Sequence, residues 1–331
     1  MKKKLLTILK YLAFLGIGIG LLLWTFRKQS LTLEEITDQI FAVDLRWLSL
    51  SLLLSVLALF SRAYRWNLLI HPLGYRPKLM NAFHSLMIGY FANLAIPRIG
   101  EISRCAALNK AEQVPFDKLI GTVIVERVSD VIMLLVSILL VLSIEYNRLG
   151  SFFNDQFFSP AINTLHHSAL LLTIIVISII VLIILLIRYF KKNKESVFVK
   201  KINKLTSGIV AGLKTIITMK SRGEFLFHTL FIWLMYFLMT YTSFFALTST
   251  SFLDAKAGLL IMVIGGIAMS APVQGGIGTY HFLVSQALLL FGIANGIVFA
   301  TMVHTWQIIV SVALGLIGWL IIFVFPKKKS A

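Results

Sequence analysis

Residues 91–130 read FANLAIPRIGEISRCAALNKAEQVPFDKLIGTVIVERVSD, with apolar sequence on both sides. The stretch carries Arg98, Glu101 and Arg104, then Glu126, Arg127 and Asp130. A charge at the centre of a lone membrane helix costs roughly 2.5–3.5 kcal/mol on insertion scales. A hydrophobic chain keeps such a cluster where the charges pair, reach water or handle something polar. Pro97 and Gly100 also interrupt the backbone beside it. Broken backbone at membrane depth must be buried in protein or line a cavity. The stretch therefore reads as half of a binding site inside a membrane protein.

The whole chain supports that class. Its 331 residues are 58% hydrophobic and 14% charged, and long apolar runs recur from end to end, which predicts an all-α polytopic membrane protein. Alternating strand patterns with aromatic girdles, the mark of an outer-membrane barrel, are not seen. The net charge of +17 would suggest nucleic acid in a soluble protein. Here the basic residues fall mainly between apolar runs and at the tail, where they fix orientation and meet anionic headgroups. Membrane phospholipid is the expected partner, and nucleic acid is not. The single cysteine, Cys105, excludes an intrachain disulfide. The sequence contains no metal-ligand spacing, phosphate-cradling P-loop or nucleophile elbow, so no metal, cofactor or catalytic residue is expected. No stretch is polar and long enough for a soluble domain, and residues 1–331 read as one integral membrane domain.

Taken in order, a retained first span covers about 5–26, behind a lysine-rich start that places the N-terminus in the cytoplasm. A second span covers about 45–70. Arg62, Arg65 and Trp66 near its inner end suit a membrane-interface anchor. Residues 80–97 could cross fully only by carrying Arg98, Arg104, Lys110 and Lys118 outside, against the positive-inside rule. A hairpin that enters from the cytoplasm, turns at 97–100 and returns along 101–108 resolves the conflict. Further spans are expected at about 119–144, 168–190, 225–247 and 297–325, with an external loop at 145–167. Lys and Ile or Leu alternate at helical spacing between 191 and 222, predicting an amphipathic helix in the cytoplasmic interface. Residues 257–293 are interrupted by Pro272, Gly275, Gly276 and Gly278, and read as a second hairpin, entering from outside. The tail, Pro326-Lys327-Lys328-Lys329, fits a cytoplasmic C-terminus. The expectation is six full spans and two re-entrant broken hairpins. The halves, 1–145 and 168–326, would be an inverted repeat, and paired broken segments in such halves point to a transporter site at the midplane.

Arg98, Glu101 and Arg104 are spaced three apart and share one broad helix face; Glu126 and Arg127, four and three residues before Asp130, can each share a face with it. Guanidinium groups suit bidentate phosphate binding. A half-helix beginning after Pro97 would aim free N–H groups at an anion. The six charges sum to zero, so the same residues also read as an ion-pair lattice locking the hairpin to the next span. Asn93 would cap the break or line the cavity. The glycines 275, 276 and 278 allow close backbone approach. His281, just beyond them, could bind phosphate, carry a proton or simply pack.

At these residues the chain resembles the integral membrane domain of lysylphosphatidylglycerol synthases and its stand-alone relatives, the UPF0104 proteins. The shared elements are Arg62-Ala-Tyr-Arg65-Trp66, Asn93 with the Pro97-to-Arg104 run, the Glu126-Arg-x-x-Asp130 run, and Gly275-Gly276-x-Gly278. Gln274 and His281 depart from the family's usual proline and acidic residue. In the two-domain synthases the membrane domain is associated with flipping aminoacylated phosphatidylglycerol, and a soluble domain transfers the aminoacyl group. The resemblance thus implies a lipid flippase or transporter in the bacterial inner membrane, moving an anionic or aminoacylated phospholipid or another lipid-linked phosphate. It does not imply synthase activity. The alternatives are a membrane-embedded transferase on lipid-linked substrates and a scaffold for a separate lipid-modifying enzyme. Relatives also imply a homodimer.

Overall fold

A computed structural model describes residues 2–28, 34, 38, 42–153 and 216–325, and among them every regular element is helical. Helix α1 is Lys2–Lys28, α2 Leu45–Ile70, α3 Leu79–Ala95, α4 Gly100–Glu112 and α5 Phe116–Ile144. Helix α6 is Tyr146–Phe153, α7 Arg222–Phe244, α8 Ala255–Ser270, α9 Thr279–Leu289 and α10 Gly296–Trp319. Four stretches are long and apolar enough to cross a membrane: Leu45–Leu73, Phe116–Ile144, Arg222–Phe244 and Gly296–Val324. Exposed leucines and isoleucines such as Leu135, Leu139, Ile309 and Ile317 cover their outer faces. Such surfaces belong against lipid rather than water. The expected span at 168–190 and most of the amphipathic helix at 191–222 lie outside the described residues. So does the lysine-rich tail. Residues 146–153, expected in a loop, form α6.

Both sequence interruptions become helix–turn–helix hairpins. Helix α3 ends at Ala95, where Pro97 prevents continuation. The chain turns through Arg98 at φ 66, and α4 starts at Gly100. The two helices run back along each other. Asn81 of α3 donates to Glu112 at the end of α4 (2.6 Å), as does the Lys78 N–H (2.9 Å). Near the turn Gly89 and Gly100 touch backbone to backbone, and a Cβ on Gly89 would meet the Gly100 carbonyl at 2.8 Å. Only glycine permits that crossing.

The second hairpin is α8 and α9, joined by a short 3-10 turn at Gln274–Gly276. Gly275, Gly276 and Gly278 all have positive φ, which a side chain would strain. The turn touches two other elements. Gly275 lies against Leu94 of α3, and Gly278 lies against the backbone carbonyl of Gly18 in α1. The tips of the two hairpins therefore meet.

Two apolar cores surround these hairpins. One joins Trp66 and Ile70 of α2 to Phe83, Leu86 and Met87 of α3, Cys105 and Leu108 of α4, and Leu119 and Val123 of α5. The other joins Leu48 of α2 and Val141 of α5 to α8, α9 and α10. Helices α2 and α5 run from one core to the other. A polar seam ties α2 to α7: Ser51 with Ser243 (3.1 Å), Ser61 with His228 (2.8 Å) and Arg65 with Thr229 (3.2 Å). Intramembrane hydrogen bonds of this kind serve as helix–helix glue.

Candidate functional site

Helices α2, α4, α5 and α7 converge on one lattice of charges. Its centre is Glu126, fully buried, ten residues into α5 and so about 15 Å from that helix's start. One carboxylate oxygen accepts from Arg62 Nη2 at 2.6 Å, and the other from Arg104 Nη1 at 3.0 Å. Asp130, one turn along α5, accepts from Arg65 Nη2 at 2.6 Å and from Arg62 Nη2 at 3.2 Å. Glu101 of α4 meets Arg127 of α5 at 2.9 Å and Arg104 at 3.6 Å. The Arg127 side chain also lies 3.6 Å from Asp130. Neutral groups complete the setting. Arg62 Nη1 donates to the Tyr236 hydroxyl (2.9 Å), and Arg65 Nη1 to Thr229 (3.2 Å). The Arg104 guanidinium lies 4.8 Å over the Trp66 ring, whose Nε1 donates to Thr122 at 2.9 Å. The Arg62 guanidinium stands 6.0 Å from the Tyr90 ring.

Arg62, Arg65 and Trp66, expected at the membrane interface, are instead buried in the lattice. Arg62 and Arg65 are three apart and Arg65 and Trp66 adjacent, so one face of α2 turns toward Glu126 and Trp66 supports it from the side. Arg98, expected to share a face with Glu101 and Arg104, does not join them. It occupies the left-handed turn between α3 and α4 and is exposed. The expected zero sum changes accordingly. Arg62, Arg65, Arg104 and Arg127 face Glu101, Glu126 and Asp130, leaving one formal positive charge in surplus.

Burial divides the lattice. The side chains of Arg65, Arg104 and Glu126 are at most 1% exposed, whereas Arg127 is 43% and Glu101 32% exposed. The buried part holds helices together; the Glu101–Arg127 edge can be reached. Arg104 Nη2 has no hydrogen-bond partner among the described residues.

The remaining expected residues lie at the two hairpin turns. Asn93 accepts the Gly100 N–H at 2.7 Å and so caps α4. Gly275, Gly276 and Gly278 make the second turn. His281 is buried, and its Nδ1 accepts the Gly278 N–H at 3.3 Å, capping α9. Its ring meets His304 of α10 edge to face at 4.9 Å, and the His304 Nε2–H donates to the Gly275 carbonyl at 2.7 Å. The histidine pair therefore braces the second turn. Sequence reasoning missed Tyr90 and Tyr236, since a tyrosine within an apolar run carries no local sign of a charged neighbour. Among the described residues no group of three or more His, Cys, Asp or Glu could hold a metal ion.

Four apolar crossing-length helices, two broken hairpins and a buried arginine–carboxylate lattice define a polytopic helical membrane protein with a charged interior site. The family model for the lysylphosphatidylglycerol synthase transmembrane region matches residues 11–318. The chain belongs to that family. It is also similar to a UPF0104 membrane protein of Methanocaldococcus jannaschii, 31% identical over 101 residues, which is 30% of this chain and 30% of the relative. No solved structure matches.

Proposed function

We propose that the protein is a lipid flippase or transporter that moves an anionic or aminoacylated phospholipid, or another lipid-linked phosphate, across the cell membrane. The observation that carries this reading is the Glu101–Arg127 edge: a reachable arginine at the rim of a lattice with one surplus positive charge, inside an apolar protein. An incoming phosphate monoanion would balance that charge, and guanidinium groups are well shaped to receive it. Arg98, exposed at the tip of the first hairpin, would meet the headgroup on its way in. Family membership points the same way, because the family is built around an enzyme of lipid modification.

On this reading the two hairpins are re-entrant, their touching tips lie near the midplane, and the halves rock around them. The chain would have six spans as one integral unit with both termini in the cytoplasm, in the bacterial inner membrane and in a homodimer. Arg62, Arg65, Arg104, Glu126 and Asp130 are positioning residues; Arg127 and Arg98 touch the phosphate.

The test is lipid scrambling by the full chain reconstituted in vesicles. The vesicles contain a fluorescent phosphatidylglycerol, and dithionite quenching reports the lipid that has reached the outer leaflet. Wild-type protein should raise the quenched fraction beyond the outer-leaflet half, and Arg127→Gln should abolish the excess while inserting normally. Protein-free kinetics in wild-type vesicles, or full movement by Arg127→Gln, would refute the assignment.

A further inference from the structure

Tyr236 of α7 holds a position that the charge lattice itself does not use up. Its hydroxyl oxygen accepts the Arg62 Nη1–H at 2.9 Å. A phenol has one hydrogen of its own to donate. No acceptor takes that hydrogen among the described residues, and the side chain is half-buried rather than sealed. Tyr90 of α3 neighbours the same guanidinium, its ring centre 6.0 Å from it, and is also half-buried. No hydrogen bond engages its hydroxyl among the described residues. Two phenolic donors from different helices thus converge on Arg62, which has already committed Nη2 to Glu126 and Asp130. A hydroxyl that accepts from a cation becomes a better donor, because hydrogen bonds in a chain polarise one another.

We propose that the Tyr236 and Tyr90 hydroxyls are binding contacts of the substrate site, donating hydrogen bonds to the phosphate oxygens of the ligand held at Arg127. This inference rests on the anionic-ligand reading above and extends its site from α4 and α5 to α3 and α7. The division of labour is chemical. Arg127 supplies charge at the rim. The phenols supply direction without adding charge, so the lattice keeps a single positive surplus for a monoanion. Arg62 acts through Tyr236 and is a positioning residue.

The experiment titrates short-chain phosphatidylglycerol into the purified full chain in neutral detergent, with inorganic phosphate as a second probe. Tyr236→Phe and Tyr90→Phe should each weaken lipid binding about tenfold to a hundredfold, the size expected for one hydrogen bond to a charged group. A lipid site loses affinity for phosphatidylglycerol in these variants; a site for free phosphate shows the same loss with the inorganic probe. Because Tyr236→Phe also removes an acceptor from Arg62, 3-fluorotyrosine at position 236 gives an independent readout. Fluorination makes the phenol a stronger donor and a weaker acceptor, so the ligand should bind more tightly. Unchanged affinity in both phenylalanine variants, with binding lost in Arg127→Gln, would overturn the inference while leaving the anionic site standing. Weaker binding to the fluorinated protein would overturn it too, by making Tyr236 only a rest for Arg62. Binding unaffected by Arg127→Gln would sink the underlying reading itself.

Discussion

Glu126→Gln removes one charge from the centre of the lattice and almost nothing from its shape. The wild-type carboxylate accepts from Arg62 at 2.6 Å and Arg104 at 3.0 Å, with Arg65 at 3.6 Å and Arg127 at 3.9 Å. Without it, four guanidiniums face only Asp130 and the half-open Glu101, and Arg104 keeps only its 3.6 Å contact with Glu101. Deleting one partner of a buried ion pair costs roughly 3–5 kcal/mol, because the partner left behind stays desolvated and uncompensated. Glu101→Gln provides the contrast. It removes the same chemical group from a pair that is 32% and 43% exposed on its two sides, where exposed pairs contribute about 0–1 kcal/mol. The assay is SDS-induced unfolding in mixed micelles followed by tryptophan fluorescence, to which Trp66 under Arg104 contributes directly. Glu126→Gln should lose about 2 kcal/mol or more relative to Glu101→Gln. Equal, small losses for the two variants would refute the view that a buried lattice holds α2, α4 and α5 together.

Other expectations follow from single contacts. Gly278→Ala should fail to accumulate as folded protein by fluorescence size-exclusion, since its Cβ would collide with the Gly18 carbonyl and φ is +81 there. Asn93→Ala should cost about 1 kcal/mol in the same unfolding assay by uncapping α4. His304→Phe removes the donor from the part-buried Gly275 carbonyl and should cost about 1 kcal/mol. Asp44 caps α2 at the protein's surface, and its carboxyl is held below the usual value first by the Arg46 side-chain hydrogen bond and then by the Arg46 N–H. Its lowered value in the folded state means that the cap acts above the ordinary carboxylate pKa of about 3.9 and is lost as pH falls below it. Amide protection at Arg46 should drop in that acidic window, and Asp44→Asn should remove the dependence.

Much of this architecture is legible in the residue order. Pro97 with Gly100, and Pro272 with Gly275, Gly276 and Gly278, announce two breaks, and the helices stop at both. The cost of charge in apolar surroundings singles out Glu101, Arg104, Glu126, Arg127 and Asp130, which the fold brings together. Local spacing misleads in two places. Arg98 is three residues from Glu101, but the spacing matters only inside one helix, and the break at Pro97 puts Arg98 in a left-handed turn before α4 begins. Arg62 and Arg65 beside Trp66 have the composition of a headgroup anchor, yet their carboxylate partners lie 64 and 65 residues away in sequence. Nothing within α2 encodes that pairing. Tyr236, 174 residues from Arg62, escapes notice for the same reason.

Native mass spectrometry of the gently extracted full chain, wild type beside Arg127→Gln, tests most directly whether the open edge of the lattice holds an anionic lipid. The lattice predicts a retained anionic phospholipid on the wild-type protein and its loss from Arg127→Gln, with both proteins equally folded. The same lipid retained equally by both, or by neither, would contradict it and leave the arginines and carboxylates as a lock between helices alone.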